Sequence, residues 1–231
     1  MTTFFRFPRT PHLFWLGAGV PRDDKVLTPV EAAAFLAHDL VLEEKVDGAN
    51  TGLSFSADGT IQVQNRGAYL TEPYNGQYAK FGAWLAPRLD SLFDTLADRF
   101  ILFGEWCYAR HSLDYSALPD WFLAFDVYDR ERAVFLDSAV RNDLTLAADC
   151  VPIARLERGR FGKEALMTRL QQRRSLYREG FFEGLVLRLE ADGQTVQRAK
   201  LVRRDFVQAI GAHWSRRGMV ANRLCSRQAP A

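Results

Sequence analysis

Charged side chains interrupt several apolar, strand-forming stretches of this 231-residue chain. Glu44 and Lys45 lie near the end of VLEEKV, Glu105 lies within FILFGEW, and Asp126 lies within WFLAFDVYD. Buried strands rarely tolerate charged side chains that have neither a partner nor a ligand. Since these interruptions carry both signs of charge, they predict one shared polar cleft that binds metal and phosphate.

Capping signals and apolar spacing predict five helices. Thr28, Pro29 and Glu31 form a capping box with proline at the first helical position, so a helix is expected over residues 29–39. Pro87 is expected to kink or divide a helical pattern over residues 77–99. The remaining helices are expected over residues 138–148, 163–177 and 203–214.

Seven stretches rich in β-branched, aliphatic and aromatic residues predict strands. They span residues 41–46, 50–56, 60–66, 100–106, 121–129, 181–190 and 194–202. The strands and helices mix without a regular βαβ rhythm, which favours an α+β fold built on antiparallel sheets.

The net charge of +2 hides two halves of opposite charge. Residues 1–150 carry 13 basic and 21 acidic side chains, whereas residues 151–231 carry 17 basic and 7 acidic ones. This asymmetry predicts an anionic partner for the second half, although a solvated basic face would produce the same pattern.

Cysteine content and apolar patterning indicate the compartment. Cys107, Cys150 and Cys225 include no short-spaced pair, so neither a disulfide framework nor a zinc site is expected. The N-terminal stretch lacks the sustained apolar core of a signal peptide, and no apolar run is long enough to span a membrane. We therefore expect a soluble cytoplasmic protein without a membrane partner.

Lys45, within Glu44-Lys45-Val46-Asp47-Gly48, is a candidate nucleophile. A lysine attacks only as the neutral amine, which requires a depressed pKa. The K-x-D-G pattern alone is also typical of a hairpin turn with a solvated lysine. Further charged segments follow it in order: NRG at 65–67, FGEW at 103–106, FLAFD at 122–126, EGLVLR at 183–188 and RAK at 198–200.

These ordered motifs resemble those of a known superfamily. KVDG, FGEW, FLAFD, EGLVLR and RAK look like motifs I, III, IIIa, IV and V of the covalent nucleotidyltransferases. The chain is most similar to ATP-dependent RNA ligases of the nick-sealing phage type, a resemblance that the stretch GEWCYARHSLDYSALPDWFLAFDVYD at 104–129 strengthens. It implies an α+β nucleotidyltransferase fold, the ATP-grasp-like adenylation domain of ligases, with antiparallel sheets flanked by helices.

The resemblance also implies a three-step reaction. Lys45 would attack the α-phosphorus of ATP and form a lysyl-adenylate, with release of pyrophosphate. AMP would then pass to a 5′-phosphate RNA end, and a 3′-hydroxyl would displace it. Mg²⁺, or Mn²⁺ in its place, would bind Glu105 and Glu183 directly or through water.

The same resemblance assigns roles to further motif residues. Lys200 and Arg198 would neutralise the α-phosphate oxygens and help to lower the pKa of Lys45. Phe125 would stack on adenine, with Val186 over its opposite side.

Four further residues, which lie near Lys45 or in the NRG segment, complete the implied site. Glu44 would help to recognise adenine through its backbone and side chain. Asn50 and Arg66 would lie near the phosphate and the nucleic-acid ends. Asp47 would orient the loop that follows Lys45 rather than transfer a proton.

Each assignment has a simpler alternative. Phe125 fits an ordinary core position, Glu105 and Glu183 fit structural salt bridges, and Arg66 fits a solvated surface. No partner motif or general base accompanies the remaining candidates, and they are assigned no catalytic role: His111, Ser112 and Cys107.

Two features depart from the family pattern. Arg198 stands where the family usually has lysine; it keeps the charge and presents a fork suited to phosphate, but it is not a neutral exchange for lysine. Only 31 residues follow Lys200, so we expect a nearly bare adenylyltransferase domain over residues 1–231, with a short basic helix and tail at about 203–231. RNA ends would then bind the domain surface, an end-healing partner protein or the arginines of this tail, namely Arg203, Arg204, Arg216, Arg217, Arg223 and Arg227.

Three other functions compete with an RNA ligase. A small ATP-dependent DNA ligase and a GTP-using capping enzyme share the chemistry, and a non-catalytic RNA-end-binding protein could share the fold. The complete set Lys45, Glu105, Glu183 and Lys200 argues against the non-catalytic alternative. For the substrate, the sequence leaves open nicked duplex RNA, a cleaved tRNA loop and an RNA–DNA hybrid.

Overall fold

The structure, a computed structural model, describes residues 4–18, 25–209 and 219–225. Its strands are β1 (Leu40–Lys45), β2 (Ala49–Phe55), β3 (Ile61–Asn65), β4 (Tyr69–Leu70), β5 (Phe100–Trp106), β6 (Phe122–Asp129), β7 (Val134–Phe135), β8 (Val151–Pro152), β9 (Arg155–Gly159), β10 (Gly184–Ala191) and β11 (Gln194–Val202). Its helices are α1 (Pro29–Leu36), α2 (Phe81–Leu85), α3 (Leu89–Leu96), α4 (Ser138–Ala147), α5 (Lys163–Gln172) and α6 (Arg204–Ala209). Of the predicted basic tail, Arg216, Arg217 and Arg227 lie outside the described residues.

The strands form two sheets, and the α+β class is confirmed. One sheet has four strands in the order β11-β10-β1-β9, and the other has seven, with the path β4-β3-β2-β5-β6-β7 and β8 beside β6. The named strand pairs are antiparallel, apart from the parallel pair β6–β8. The chain passes from the first sheet to the second at residues 46–48, directly after Lys45.

Each sheet packs its apolar side chains against helices. Leu42 and Leu185 of the four-stranded sheet join a buried cluster with residues of α1 and α5. Leu53 and Leu102 of the seven-stranded sheet join a second cluster with residues of α2 and α3. These clusters hold the two sheets in place around the junction at residues 46–48.

Local sequence explains where α1 begins and where α5 ends. The Thr28 side chain accepts a hydrogen bond from Glu31 N, and the Glu31 carboxylate accepts one from Thr28 N. The predicted capping box is therefore confirmed. The helix predicted over residues 163–177 is too long, because it ends at Gln172 and Arg173 is extended. The Ser175 hydroxyl beyond it donates instead to the Glu44 carboxylate.

The helical pattern predicted over residues 77–99 is divided. Gly76–Tyr78 forms a 3₁₀ turn, and a second 3₁₀ turn at Ala86–Arg88 contains Pro87 and separates α2 from α3. A proline cannot donate a backbone hydrogen bond within a continuous helix. The sequence therefore located the break but not the separate first turn.

The sequence missed four strands, namely β4, β7, β8 and β9. The longest of these, β9, pairs with β1 and has the sequence RLERG, which is too charged to resemble a buried strand. Cys107, Cys150 and Cys225 are free. No helix in the described part of the chain has the length and apolar character needed to cross a bilayer.

Candidate active site

A cavity of about 570 Å³ lies where the chain passes between the two sheets. Both sheets contribute to its wall, together with Phe7 and Thr10 of the N-terminal segment. It brings together most of the predicted site residues, namely Glu44, Lys45, Asn50, Arg66, Glu105, Phe125, Val186, Arg198 and Lys200. Glu183, the remaining predicted residue, directly precedes β10 and contacts Lys45.

Lys45 ends β1 opposite Gly184, which places its amine beside the preceding residue, Glu183. The Nζ atom of Lys45 donates a hydrogen bond to Glu183 Oε2 at 2.7 Å. A Cβ atom on Gly184 would lie 2.4 Å from the Leu201 carbonyl oxygen, so this close approach of the strands requires glycine. The local packing therefore fixes the ion pair between Lys45 and Glu183.

The pKa of Lys45 shifts opposite to the sequence expectation. Burial alone would lower this pKa, but the negative charges of Glu183 and Asp47 raise it above its ordinary value. The expected lowering of the Lys45 pKa by Lys200 is therefore outweighed in the free protein, where Lys45 is a protonated ammonium. The positive charge of Lys200 acts on the neighbouring carboxylate instead, where it favours the ionised form of Glu183.

Glu105 faces the same space from β5. Its Oε1 atom accepts a hydrogen bond from Gly48 N at 2.9 Å, and a Cβ atom on Gly48 would lie 2.5 Å from the Trp106 carbonyl oxygen. Burial raises the pKa of Glu105 to about 7, and the charge of Asp47 adds to the rise. Burial likewise raises the pKa of Glu183.

These raised pKa values fit a cation-binding role for Glu105 and Glu183. Two buried carboxylates that repel one another are stabilised by a positive ion, and carboxylate oxygens are the ligands that Mg²⁺ prefers. Within the described residues, no group of three His, Cys, Asp or Glu side chains could hold a metal ion by itself. The pair therefore fits an ion that keeps several water or phosphate ligands, as Mg²⁺ commonly does.

The turn after Lys45 is tied to the loop that follows β5. The carboxylate of Asp47 accepts a hydrogen bond from Ser112 N at 2.8 Å, and Asp47 N donates to the Tyr115 hydroxyl at 2.8 Å. These contacts agree with the orienting role expected for Asp47. Their partners were not identified from the sequence.

Phe125, Val186 and Ile153 contribute apolar side chains to the cavity. Val186 pairs with Glu43, two residues before Lys45, and this part is here called the apolar end. The ring of Phe7 meets Phe125 edge-on at 5.3 Å. The carbonyl oxygen of Phe125 accepts hydrogen bonds from Arg188 and from Arg141, at 2.5 and 2.8 Å. This end therefore offers apolar faces on a rigid backbone, which suits a flat aromatic base.

A buried ion network adjoins Phe125, and its members Glu43, Asp126 and Arg188 also line the cavity. Arg188 contacts the carboxylates of Glu43 and Asp126, each at 2.6 Å, and Arg141 also contacts Glu43 at 2.6 Å. Glu43 and Arg188 belong to the four-stranded sheet, whereas Asp126 belongs to the seven-stranded sheet. The network thus joins the two sheets; sequence reasoning noted Asp126 but assigned no role to Glu43, Arg141 or Arg188.

Arg198 belongs to this network. Its guanidinium pairs with Asp126 and lies over the rings of Phe135 and Phe7, 4.0 and 4.8 Å from their centroids. Its expected contact with the α-phosphate stays a prediction, and that contact would compete with Asp126. A lysine at this position would lack the planar fork and most of the ring stacking.

The Glu44 carboxylate also has protein partners. It accepts hydrogen bonds from Ser175 Oγ at 2.5 Å and Leu176 N at 2.9 Å, and burial raises its pKa. Its expected role in adenine recognition stays a prediction.

Polar groups line the part of the cavity that follows Lys45 in the chain, where Glu105 pairs with Asn50 and accepts a hydrogen bond from Gly48 N; this part is here called the polar end. The Asn50 Oδ1 atom is buried there without a hydrogen-bond partner among the described residues, and the exposed Arg66 lies at the rim. His111 also lines this end, and its Nε2 atom lies 2.8 Å from Gln77 Oε1. Burial lowers the pKa of His111, which favours the neutral ring. Sequence reasoning assigned His111 no role.

A model of the RNA ligase family matches residues 38–202, which is more than half of the chain. No curated protein sequence matches the chain.

Several solved structures of RNA ligase from Naegleria gruberi share the fold. A mutant with ATP and Mn superposes with a TM-score of 0.63 at 17% identity, over 90% of this chain and 59% of that one. A mutant with AMP and Mn gives 0.59 at 17% identity, over 89% and 64%. The enzyme with pyrophosphate gives 0.56 at 21% identity, over 74% and 51%. This chain therefore spans about three fifths of the length of its first structural relative.

Proposed function

The chain belongs to the RNA ligase family, and we propose that it joins 5′-phosphate and 3′-hydroxyl RNA ends at the expense of ATP, through an adenylate on Lys45. One observation carries the proposal: Lys45, the apolar residues Phe125 and Val186, and Glu105 line one cavity. Val186 pairs with Glu43, before Lys45 in the chain, whereas Glu105 accepts a hydrogen bond from Gly48 N, after Lys45. ATP has the same order of parts, a flat base followed by a charged phosphate chain. Residues 1–231 act in this proposal as one adenylyltransferase domain.

The first step is an in-line displacement at the α-phosphorus of ATP. A bond forms between Lys45 Nζ and phosphorus, and the bond to the pyrophosphate oxygen breaks. Positioning and charge neutralisation dominate such reactions. Stacking on Phe125 fixes the base, while Lys200 neutralises the phosphate oxygens from β11.

Lys45 must lose a proton before it attacks. Its Nζ atom lies 2.7 Å from Glu183 Oε2, so this carboxylate is the immediate hydrogen-bond partner of that proton. When bound at Glu105 and Glu183, Mg²⁺ or Mn²⁺ would neutralise negative charge on the phosphates and on both carboxylates. The two carboxylates then favour the ammonium form of Lys45 less strongly. The pKa of Lys45 therefore falls, and the neutral amine forms more readily.

The second and third steps use the polar end of the cavity. AMP passes from Lys45 to the 5′-phosphate of RNA, and the 3′-hydroxyl then attacks that phosphate and releases AMP. The unpartnered Asn50 Oδ1 accepts a hydrogen bond from ligand or water, and Arg66 at the rim attracts phosphate. The RNA ends therefore approach past Arg66.

Covalent labelling tests the proposal. Wild-type protein is incubated with α-labelled ATP and Mg²⁺ and resolved by denaturing electrophoresis, and we expect a labelled band. Lys45→Ala should abolish the label, whereas Lys80→Ala, which removes an exposed lysine, should retain it. Absence of label on the wild-type chain across pH and metal conditions would refute the mechanism.

A substrate panel then separates the alternatives that share this chemistry. Preferred sealing of nicked RNA or of an RNA–DNA hybrid supports an RNA ligase, whereas preferred sealing of nicked DNA indicates a DNA ligase. A preference for GTP in the labelling step indicates a capping-type enzyme. RNA binding without label indicates an end-binding protein. Sealing that requires added end-healing protein would support the proposed partner.

A further inference from the structure

The C-terminal segment 219–225, here called the strap, pairs with the loop at residues 107–118. Backbone hydrogen bonds of 2.8–3.2 Å connect the two, and they join Arg110 N to Val220 O, Asn222 N to Tyr108 O, Arg223 N to Tyr115 O, Leu118 N to Arg223 O, and Cys225 N to Leu118 O. The expected basic tail is thus, over residues 219–225, bonded to a loop whose His111 lines the cavity.

Asn222 is the buried residue of the strap, with 3% of its surface exposed. Its Nδ2 atom donates to the carbonyl oxygens of Cys107 and Ala109, at 2.7 and 3.3 Å, and its Oδ1 atom accepts from Tyr115 N at 2.9 Å. One side chain thereby fixes three backbone positions of the loop. A buried amide with all these partners is costly to remove, because each partner would be left unpaired.

The apolar side chains of the strap do not explain its position. Met219, Val220 and Leu224 are exposed, with 56% of the surface of Val220 accessible to solvent. A segment that served to fill the core would bury such side chains. The contacts of the strap are polar instead, and they are directed at the loop.

The loop in turn holds the turn that follows the nucleophile. Ser112 N donates to the Asp47 carboxylate, and the Tyr115 hydroxyl accepts from Asp47 N, both at 2.8 Å. The ring of Tyr115 is fully buried in an apolar cluster that includes Val46. A continuous path of short contacts therefore runs from Asn222 through Tyr115 to the residues beside Lys45.

We propose that Asn222 is a positioning residue for adenylation, which fixes the turn after Lys45 by way of the loop. This inference rests on the proposed function and deepens it. Asn222 touches neither the cavity nor the reacting atoms, so its effect is on the orientation of the Lys45 amine. Adenine binding depends on Phe125 and Val186, which lie on other elements.

This separation predicts a split between rate and affinity. Asn222→Ala should lower the maximal rate of Lys45 adenylation roughly 10- to 100-fold, because small displacements of a nucleophile have effects of this size. The ATP concentration for half-maximal rate should stay within about threefold of the wild-type value, since the residues that bind the base are unchanged. Val220→Ala is the matched control in the same strap; it keeps the backbone and should alter neither value.

Tyr115→Phe tests the next contact along the path. It removes only the hydroxyl that accepts from Asp47 N and keeps the buried ring, so the fold is retained even if Asn222→Ala does not fold. We expect the same loss of rate with unchanged ATP dependence. Combined with Asn222→Ala, it should lower the rate by less than the product of the two single effects, because both act through one path.

Amide hydrogen exchange supplies a measurement that does not depend on activity. Asn222→Ala should speed exchange at residues 107–118 and also at 46–48, while β10 keeps its protection. If exchange at 46–48 and the adenylation rate both stay at wild-type values, the inference is wrong. Equal losses of rate and ATP affinity would also overturn it, since they indicate general damage. A wild-type chain that takes no label refutes the proposed function, whereas the exchange data still decide whether Asn222 fixes the turn.

Discussion

Arg188 is the centre of the ion network that joins the two sheets, and its replacement gives a strong test of that network. The side chain is 2% exposed and contacts Glu43 and Asp126 at 2.6 Å and the Phe125 carbonyl oxygen at 2.5 Å. Removal of one partner from a buried pair typically costs about 3–5 kcal/mol. Because Arg141 and Arg198 still pair with the two carboxylates, we expect Arg188→Met to cost about 3 kcal/mol, at the lower limit of this range.

Thermal unfolding measures this cost. For a chain of this size, about 3 kcal/mol corresponds to a fall in Tm of roughly 6–12 °C. Arg158→Met is the matched control: Arg158 pairs with Asp39 at 2.8 Å, but its side chain is 49% exposed. Exposed pairs contribute at most about 1 kcal/mol, so the control should lose no more than roughly 4 °C. Equal losses in the two variants would refute the claim that the buried network stabilises the junction of the sheets.

Three further predictions concern the same region. Phe125→Ala should raise the ATP concentration for half-maximal adenylation about tenfold, since base stacking on an aromatic ring contributes roughly 1–3 kcal/mol; an unchanged value would contradict the stacking role. Arg198→Lys should lower Tm by several degrees, because the lost fork and ring contacts correspond to roughly 1–2 kcal/mol. Covalent labelling should persist in this variant. Loss of label with unchanged Tm would show instead that Arg198 acts mainly on phosphate. Burial alone would raise the pKa of Asp126, but the charges of Arg188 and Arg198 hold it below its usual range. The ionised carboxylate therefore stabilises the fold at neutral pH. This stabilisation is lost as pH falls through the lowered pKa. Asp126→Asn should therefore cost more stability at pH 7 than at pH 3 in urea unfolding, and equal costs would contradict the pairing.

Much of the cavity could be predicted because its residues belong to short, ordered motifs at strand ends. Lys45 at the end of β1 and Glu105 in β5 interrupt apolar sequence, and such charges need a shared polar site. The capping box at Thr28 and Glu31 is likewise local, so the start of α1 is readable within four residues. Local patterns of this kind do not depend on which distant elements meet.

The partners of these residues could not be predicted, because they come from distant parts of the chain. The raised pKa of Lys45 depends on Glu183, which is 138 residues away in sequence. The pairing of Arg198 with Asp126 requires that the two sheets face one another. The role of Asn222 depends on contacts between residues 219–225 and a distant loop. The sequence of this segment shows no strand or helix pattern that would predict those contacts.

The central claim is that Lys45 carries AMP during the reaction, and site mapping tests it most directly. The wild-type protein is incubated with ATP and Mg²⁺, digested under conditions that preserve the phosphoramidate bond, and analysed by tandem mass spectrometry. We predict that the mass of AMP is found on the peptide containing Lys45 and is absent from that peptide in Lys45→Arg. AMP on a different residue, or AMP that persists in Lys45→Arg, would contradict the account.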